Sequence, residues 1–141
     1  MERSENNALM LPKHTFPKKE RLSASNDINS LFHNGRTFKS FPLQTWYAEK
    51  ARRANPAPVT ILIAVPKKRI RHAVERNRIK RLIRESYRLN KQPLNEVAAA
   101  GRIELMIAFV YIGSAIGSYA EVEDAVKKTL SAIKDQFVCQ P

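Results

Sequence analysis

The chain is poor in cysteine, in acidic residues and in long apolar runs. Its single cysteine, Cys139, has no second thiol to pair with, which excludes an internal disulfide and leaves no cysteine-based metal site. No apolar run approaches the ~18 residues that a membrane-spanning helix needs, and the N-terminus lacks the pattern of a secretory signal. These absences predict a cytoplasmic protein with no membrane-spanning segment, and a membrane is not the partner that we expect.

Positive charge is what the chain has in excess, and most of it lies in one segment. The 141 residues include 25 Lys and Arg but only 13 Asp and Glu, which gives a net charge of +12. Residues 66–91 alone hold eleven basic and two acidic residues, a net of +9. Such a concentration favours a polyanionic partner, with nucleic acid as the first candidate and an anionic membrane surface as the second.

The hydrophobic pattern predicts an α+β domain. Residues 1–17 are polar and hold two prolines, so we expect a flexible tail there and a single domain over residues 18–141. Apolar, β-branched runs predict buried strands at Val59–Val65 and Ile103–Tyr111. An aromatic-rich stretch at residues 40–50 predicts a further strand, with a shorter one before it.

Three helices complete the predicted domain. The first, with Leu31 in its apolar stripe, ends at Gly35, and the second is the basic segment, which stops at Pro93. The residues after Pro93 are interpreted as a connection. The third helix opens with Ser118 and Glu121 at the spacing of a capping box. Helices packed against a four-stranded sheet are the expected architecture.

The basic segment is typical of a helix with two different faces. At about 100° per residue, an arc of about 140° holds only polar side chains, namely Arg76, Asn77, Lys80, Arg81, Arg84 and Arg88. The opposite arc is expected to face the core and holds Ile79, Leu82, Ile83, Ser86 and Leu89, with Tyr87 on its border. An ordinary solvated face would mix charges of both signs, whereas this one places like charges four residues apart. Because the arginine fork suits phosphate, the pattern favours phosphate binding.

The loop before this helix extends the cationic surface with Lys67, Lys68, Arg69 and Arg71. The N-terminal amides of a helix also attract phosphate, so the loop and the helix start are expected to act together. A merely solvated loop is the alternative for these four residues.

The stretch AVPKKRIRHAVERNRIKRLIRESYR, residues 64–88, strongly resembles the signature of the bacterial ribonuclease P protein subunit. That family carries a strand ending in a Lys-Lys pair, a short basic loop, then Ala-Val, Arg-Asn-Arg and Lys-Arg on a helix. Arg21-Leu22 before the first helix and the helix pattern that ends at Gly35 also match. The resemblance covers roughly residues 18–137.

The resemblance implies a fold and a function. The fold is an α-β-β-β-α-β-α sandwich with a left-handed crossover, of the ribosomal protein S5 domain 2 type. From the residues alone, the usual right-handed crossover would be expected. The family implies that an RNA subunit carries out the Mg²⁺-dependent endonucleolytic removal of the 5′ leader from precursor tRNA. The protein then binds that RNA and the single-stranded leader, with Mg²⁺ held mainly by RNA, and no DNA partner is expected.

The resemblance and the helical pattern together give the predicted sites. The predicted RNA-binding residues are Lys67, Lys68, Arg69, Arg71, Arg76, Asn77, Arg78, Lys80, Arg81, Arg84 and Arg88. A cleft for the leader is implied at Ile28, Phe32 and Trp46, where unstacked bases would lie on the rings. Ile28 stands where the family often has an aromatic residue, which predicts a weaker contact there. Ordinary core packing is the alternative for Phe32 and Trp46.

The sequence assigns no catalytic residue and no metal ligand to this chain. Its three histidines are scattered, and the basic segment offers only Glu75 and Glu85 as carboxylates. Two other functions stay open. One is a general basic or ribosomal-type RNA-binding protein without a role in tRNA processing. The other is a DNA-binding basic helix, although no heptad zipper follows this one to bring two copies together.

Overall fold

The structure, a computed structural model, describes residues 20–22, 25–51, 58–101 and 103–138. The tail predicted over residues 1–17 lies outside them, as does Cys139. In chain order the helices and strands are α1 (Ser25–Asn34), β1 (Arg36–Ser40), β2 (Leu43–Ala51), β3 (Val59–Ala64), α2 (Ala73–Asn90), α3 (Gln92–Ala100), β4 (Ile103–Tyr111) and α4 (Tyr119–Val138). This is the predicted α+β fold with one additional helix.

The four strands form one mixed sheet in the order β1-β2-β4-β3. β2 is antiparallel to both β1 and β4, and β3 is parallel to β4, with Leu62 opposite Ala108. Ser40 pairs with Leu43, so the stretch predicted as one strand is divided by a turn at Phe41-Pro42. α2 and α3 connect the parallel pair, as a parallel connection requires. The hand of this crossover stays a prediction.

The two faces of the sheet carry cores of different size. Because successive residues of a strand point to opposite faces, Ile107 and Phe109 enter a large core beneath α2, α3 and α4. Met106 and Ala108 face the other way, into a small core with Leu31 of α1. Among the described residues, one short helix, α1, covers part of this second face, and Trp46 beside it is half-buried. That partly open face can admit a ligand.

The segment that follows α2 is a helix and not the expected connection. Pro93 does mark the end of α2, but it also lies in the first turn of α3, where its missing N–H would have no intrahelical acceptor. Leu94 and Ala98, four residues apart, are both buried. The interpretation of Pro93 only as a stop was therefore wrong, because a proline that ends one helix can open the next.

Residues 20–22 lie along the outer edge of β3. Arg21 forms a parallel bridge with Ile61, and the backbone N–H of Leu22 donates to the Ile61 carbonyl at 2.7 Å. The Glu20 carboxylate lies 2.7 Å from Nζ of Lys91, the residue between α2 and α3. The predicted cap of α4 is also present, since the Glu121 N–H donates to Ser118 Oγ at 3.1 Å. In the part of the chain that is described, no helix has the length and apolar character to cross a bilayer.

Candidate RNA interface

Helix α2 packs through a face that is rotated from the predicted one. Its buried residues are Ile79, Ile83, Ser86 and Tyr87. Tyr87 is fully buried, with its ring 6.2 Å from that of Phe109 in an edge-to-face arrangement, whereas Leu89 is 42% exposed. At 100° per residue the centre of the buried face moves by about 50° towards Arg76. The expectation that Leu89 faces the core was wrong, because the tyrosine ring occupies the core position instead.

This rotation divides the cations of α2 into two rows. Arg76, Lys80 and Arg84, which we call the edge row, are half-buried and lie beside the core. The outer row is exposed and comprises two cations, Arg78 and Arg81, together with the amide of Asn77. The helix therefore presents cations in two directions, one across the rim of the sheet and one straight into solvent.

Both ends of the cationic face have partners within the protein. Nη1 of Arg76 donates to the carbonyls of Ile70 and Arg71, at 3.0 and 2.7 Å, and so ties the start of the helix to the preceding loop. Arg88 forms an ion pair with Glu85 at 2.6 Å. The hydrogen bond from Arg88 lowers the pKa of the Glu85 carboxyl, and the same bond raises the pKa of Arg88.

The middle of the face is different. For Arg78, Lys80, Arg81 and Arg84, no hydrogen bond or ion pair joins the side chain to another described residue. Each of them can therefore contact a polyanion without first breaking an internal interaction.

The loop between β3 and α2 presents further cations at the same end of the molecule. Lys67, Lys68 and Arg71 are exposed, and Ile70 is buried, so the loop is anchored by its apolar residue. The backbone N–H groups of Arg69 and Ile70 both donate to the Pro66 carbonyl at 3.1 Å. Arg69 is also exposed, but its Nη1 donates to the Ile112 carbonyl at 3.0 Å. Arg69 thus braces the loop against the end of β4.

The predicted leader-cleft residues come together on the partly open face of the sheet. The rings of Phe32 and Trp46 lie 5.1 Å apart at an interplanar angle of 59°, and Phe32 is 37% exposed. Ile28, one helical turn before Phe32, is half-buried against the small core. The three residues therefore form an apolar surface at which one aromatic ring remains open to a flat ligand.

One cationic feature was missed in the sequence. The edge groove, with a cavity volume of about 300 Å³, runs between the outer side of β3 and α2. Its lining comprises Arg21, Leu22, Ile61, Leu62, Ile63, Lys80 and Arg84. The Arg-Leu pair was visible as a family match, but only the bridge to Ile61 places Arg21 opposite the edge row of α2.

The described residues contain no group of three or more His, Cys, Asp or Glu side chains that could hold a metal ion. Within α2 itself the acidic residues are Glu75, which is exposed, and Glu85, which is paired with Arg88. Arginine and lysine side chains placed in this way can contact anions through hydrogen bonds and charge.

Comparisons with known proteins agree with this geometry. Residues 16–134 match the family model described as Ribonuclease P. The ribonuclease P protein component of Porphyromonas gingivalis (strain ATCC BAA-308 / W83) is 39% identical over 122 residues, which cover 86% of this chain and 88% of the relative. This chain belongs to the ribonuclease P protein family. The resemblance drawn from residues 64–88 is confirmed.

Other members of the ribonuclease P protein family support the same assignment. The component from Chlorobium phaeobacteroides is 41% identical over 111 residues, covering 73% of this chain and 72% of the relative. The solved structure of the Staphylococcus aureus RNase P protein matches with a TM-score of 0.58 and covers 84% of this chain and 97% of that one. At 18% identity, this likeness shows the fold.

Proposed function

We propose that this chain is the RNA-binding subunit of ribonuclease P, an endoribonuclease, and that it assists a catalytic RNA in removing the 5′ leader from precursor tRNA. The observation that carries the proposal is the division of α2. Ile79 and Ile83 fix the helix to the core, and the neighbouring cations have no hydrogen-bond or ion-pair partner among the described residues; these cations are Arg78, Lys80, Arg81 and Arg84. Phosphate contacts dominate the affinity of proteins for nucleic acids, and this surface can make several at once.

The salt dependence of binding can be derived from that surface. Four helix cations without internal partners correspond to about four neutralised phosphates. With ~0.7–0.9 counterions released per phosphate, log K should fall with log[salt] with a slope of about −2.8 to −3.6 from α2 alone. Arg76 and Arg88 were counted among the RNA contacts in the sequence analysis. Because both have internal partners, they should contribute less to this slope.

The aromatic residues support a second contact. Stacking of a base on a ring is worth about 1–3 kcal/mol and makes little demand on base identity. The exposed ring of Phe32, with Trp46 at 5.1 Å, provides such a surface on the face of the sheet opposite α2. A single-stranded leader of variable sequence is the ligand that this combination fits.

In this proposal the RNA carries out the chemistry and holds the Mg²⁺. The described residues offer no cluster of carboxylates for a divalent ion. Of the two carboxylates of α2, Glu75 is exposed in the first turn and Glu85 is paired with Arg88. The protein's own residues bind and orient RNA. Charge neutralisation by these cations would lower the Mg²⁺ concentration that the RNA requires.

Reconstituted cleavage tests the proposal. Purified protein, its cognate RNA subunit and precursor tRNA are combined at low Mg²⁺, and the release of the 5′ leader is followed on a gel. We expect cleavage with both subunits and none with the protein alone. Phe32→Ala should raise KM for a substrate with a leader of several nucleotides more than for one with a single leader nucleotide.

The controls for this experiment separate the alternatives. Lys128→Ala, which removes an exposed cation of α4, should behave as the wild type. If protein addition does not stimulate the RNA, the chain is a general RNA-binding protein. Cleavage by RNA-free protein would overturn the proposal altogether.

A further inference from the structure

We propose that the edge groove is a phosphate-binding subsite in which Arg21 joins Lys80 and Arg84 around one phosphodiester of an RNA strand. This inference rests on the proposed function, because Lys80 and Arg84 also belong to the cationic helix. It adds a residue from outside that helix and assigns Lys80 and Arg84 of the edge row a role distinct from that of the outer row.

The position of Arg21 is fixed by its neighbours on both sides. Leu22 is hydrogen-bonded through its backbone to Ile61 and is buried in the small core. Glu20 is tied to Lys91 by an ion pair in which the two side chains are 12% and 3% exposed. Arg21, which is itself exposed, therefore extends from a backbone that is held at each end.

The lining of the groove favours an anion. Three of its residues are cations contributed by two elements, none is acidic, and the remainder are apolar side chains of β3 and Leu22. Cations gathered beside an apolar wall repel one another, and the reduced dielectric there strengthens their attraction for a negative ligand.

Arg84 supplies an independent observation. Its Nε–H is buried and has no hydrogen-bond acceptor within the described chain. A buried donor without an acceptor lowers stability until an acceptor is supplied. A phosphodiester oxygen in the groove could accept from Arg84 once the guanidinium turns towards it, and the arginine fork suits the two non-bridging oxygens.

Three cations on one phosphate differ from three cations on three phosphates in a measurable way. Contacts to a shared phosphate are coupled, so removing a second one costs less than the first. They also release counterions from only one phosphate, about 0.7–0.9 per site. With Lys80 and Arg84 on a shared phosphate, the four helix cations neutralise about three phosphates, and the slope expected from α2 alone becomes about −2.1 to −2.7. Arg81 in the outer row lies on a different side of α2 and should act independently of Arg21.

A double-mutant cycle on the full-length protein tests this. Affinity for the cognate ribonuclease P RNA is measured over a range of KCl concentrations for Arg21→Gln, Arg84→Gln, Arg81→Gln and the pairwise combinations. We expect each single variant to bind at least about tenfold more weakly, as befits a charge-assisted hydrogen bond. Arg21→Gln with Arg84→Gln should bind more tightly than the product of the single effects predicts, with the slope flattened by about one unit. In the Arg21→Gln, Arg81→Gln double variant, the loss of affinity should equal the product of the two single losses. The slope of log K against log[salt] should be flatter there than in the Arg21→Gln, Arg84→Gln variant.

The outcomes separate the subsite from the proposed function. If Arg81→Gln and Arg84→Gln weaken binding but Arg21→Gln behaves as Lys128→Ala does, the subsite is wrong and the proposed function stands. If the loss of affinity in the Arg21→Gln, Arg84→Gln double variant equals the product of the two single losses, the subsite is also wrong. If every variant binds the RNA as tightly as the wild type does, the proposed function itself is contradicted. Urea midpoints equal to the wild type exclude unfolding as the cause, and Arg21→Lys should restore part of the affinity.

A second arm identifies the source of the phosphodiester. If it belongs to the RNA subunit, the Arg21→Gln defect appears with that RNA alone. If it belongs to the leader, the defect appears only when the assembled holoenzyme binds precursor tRNA with a leader, and not mature tRNA. A defect in neither arm rejects the subsite.

Discussion

Removing Glu20 should destabilise this protein strongly, although the residue precedes the first helix and a substitution there would ordinarily be expected to be mild. Its carboxylate lies 2.7 Å from Nζ of Lys91, and the pair joins positions 71 residues apart. The Lys91 side chain is only 3% exposed. The pair therefore ties the strand-like residues 20–22 to the junction between α2 and α3.

The size of the effect follows from burial. Removing one partner of a buried ion pair costs about 3–5 kcal/mol, a large share of the ~5–15 kcal/mol by which a domain is stable. For a chain of this length that corresponds to a fall in Tm of about 12–20 °C. Glu20→Gln should cause the larger loss, because it deprives the enclosed Lys91 ammonium of this carboxylate. Lys91→Met keeps the packing of the stem and leaves Glu20 close enough to solvent to be hydrated.

Urea unfolding followed by circular dichroism provides the measurement. The double variant Glu20→Gln with Lys91→Met should lie within about 1 kcal/mol of the wild type, because both charges of the pair are then removed together. Asp124→Asn is the control, since its pair with Lys128 is 63% exposed on both sides and should contribute under about 1 kcal/mol. If Glu20→Gln and Asp124→Asn prove equally mild, or the double variant is as unstable as the worse single one, the reasoning fails.

Three further predictions concern α2. Ile79→Asp should unfold the domain, because it places an unpaired charge at a fully buried position. Leu89→Asp on the same helix should fold, because Leu89 is 42% exposed. Circular dichroism measures both, and equal effects would contradict the observed rotation of the helix. Glu85→Gln should steepen the salt dependence of RNA binding by up to one unit, since Arg88 loses a carboxylate partner, and an unchanged slope would place Arg88 outside the interface. Because Arg88 lowers the pKa of Glu85, this pair stabilises the fold near neutral pH and its contribution disappears as the pH falls through that lowered pKa. The exposed geometry limits the loss to under about 1 kcal/mol in acid unfolding curves.

The strands and the cationic helix could be predicted because their signals are local. Continuous β-branched runs identified β3 and β4, and like charges at helical spacing identified α2. The orientation of α2 could not be obtained in the same way. A helical wheel weighs residue types, and it placed Tyr87 on a border and Leu89 in the core. Which of the two is buried depends on how the Tyr87 ring fits against Phe109, and that is tertiary information.

The remaining differences have the same origin. Pro93 is compatible both with the end of a helix and with the first turn of another, and only the burial of Leu94 and Ala98 against neighbouring elements decides between them. Arg21 carries no local sign of its role, because its position depends on a bridge to Ile61, forty residues away in sequence. Local sequence patterns predict individual helices and strands. Which side chains share one surface depends on which helices and strands pack together, and local patterns do not contain that information.

The cationic helix resolves a conflict between stability and binding through the placement of its partners. Like charges four residues apart destabilise a helix by a few tenths of a kcal/mol each, and α2 offsets this at both ends. Arg76 donates to two loop carbonyls at the start, and Arg88 pairs with Glu85 near the end. Because both terminal cations already have partners within the protein, the uncompensated charge is confined to the middle turns. The affinity for RNA should therefore be centred on those turns, where Ile79 and Ile83 also hold the helix most firmly to the core.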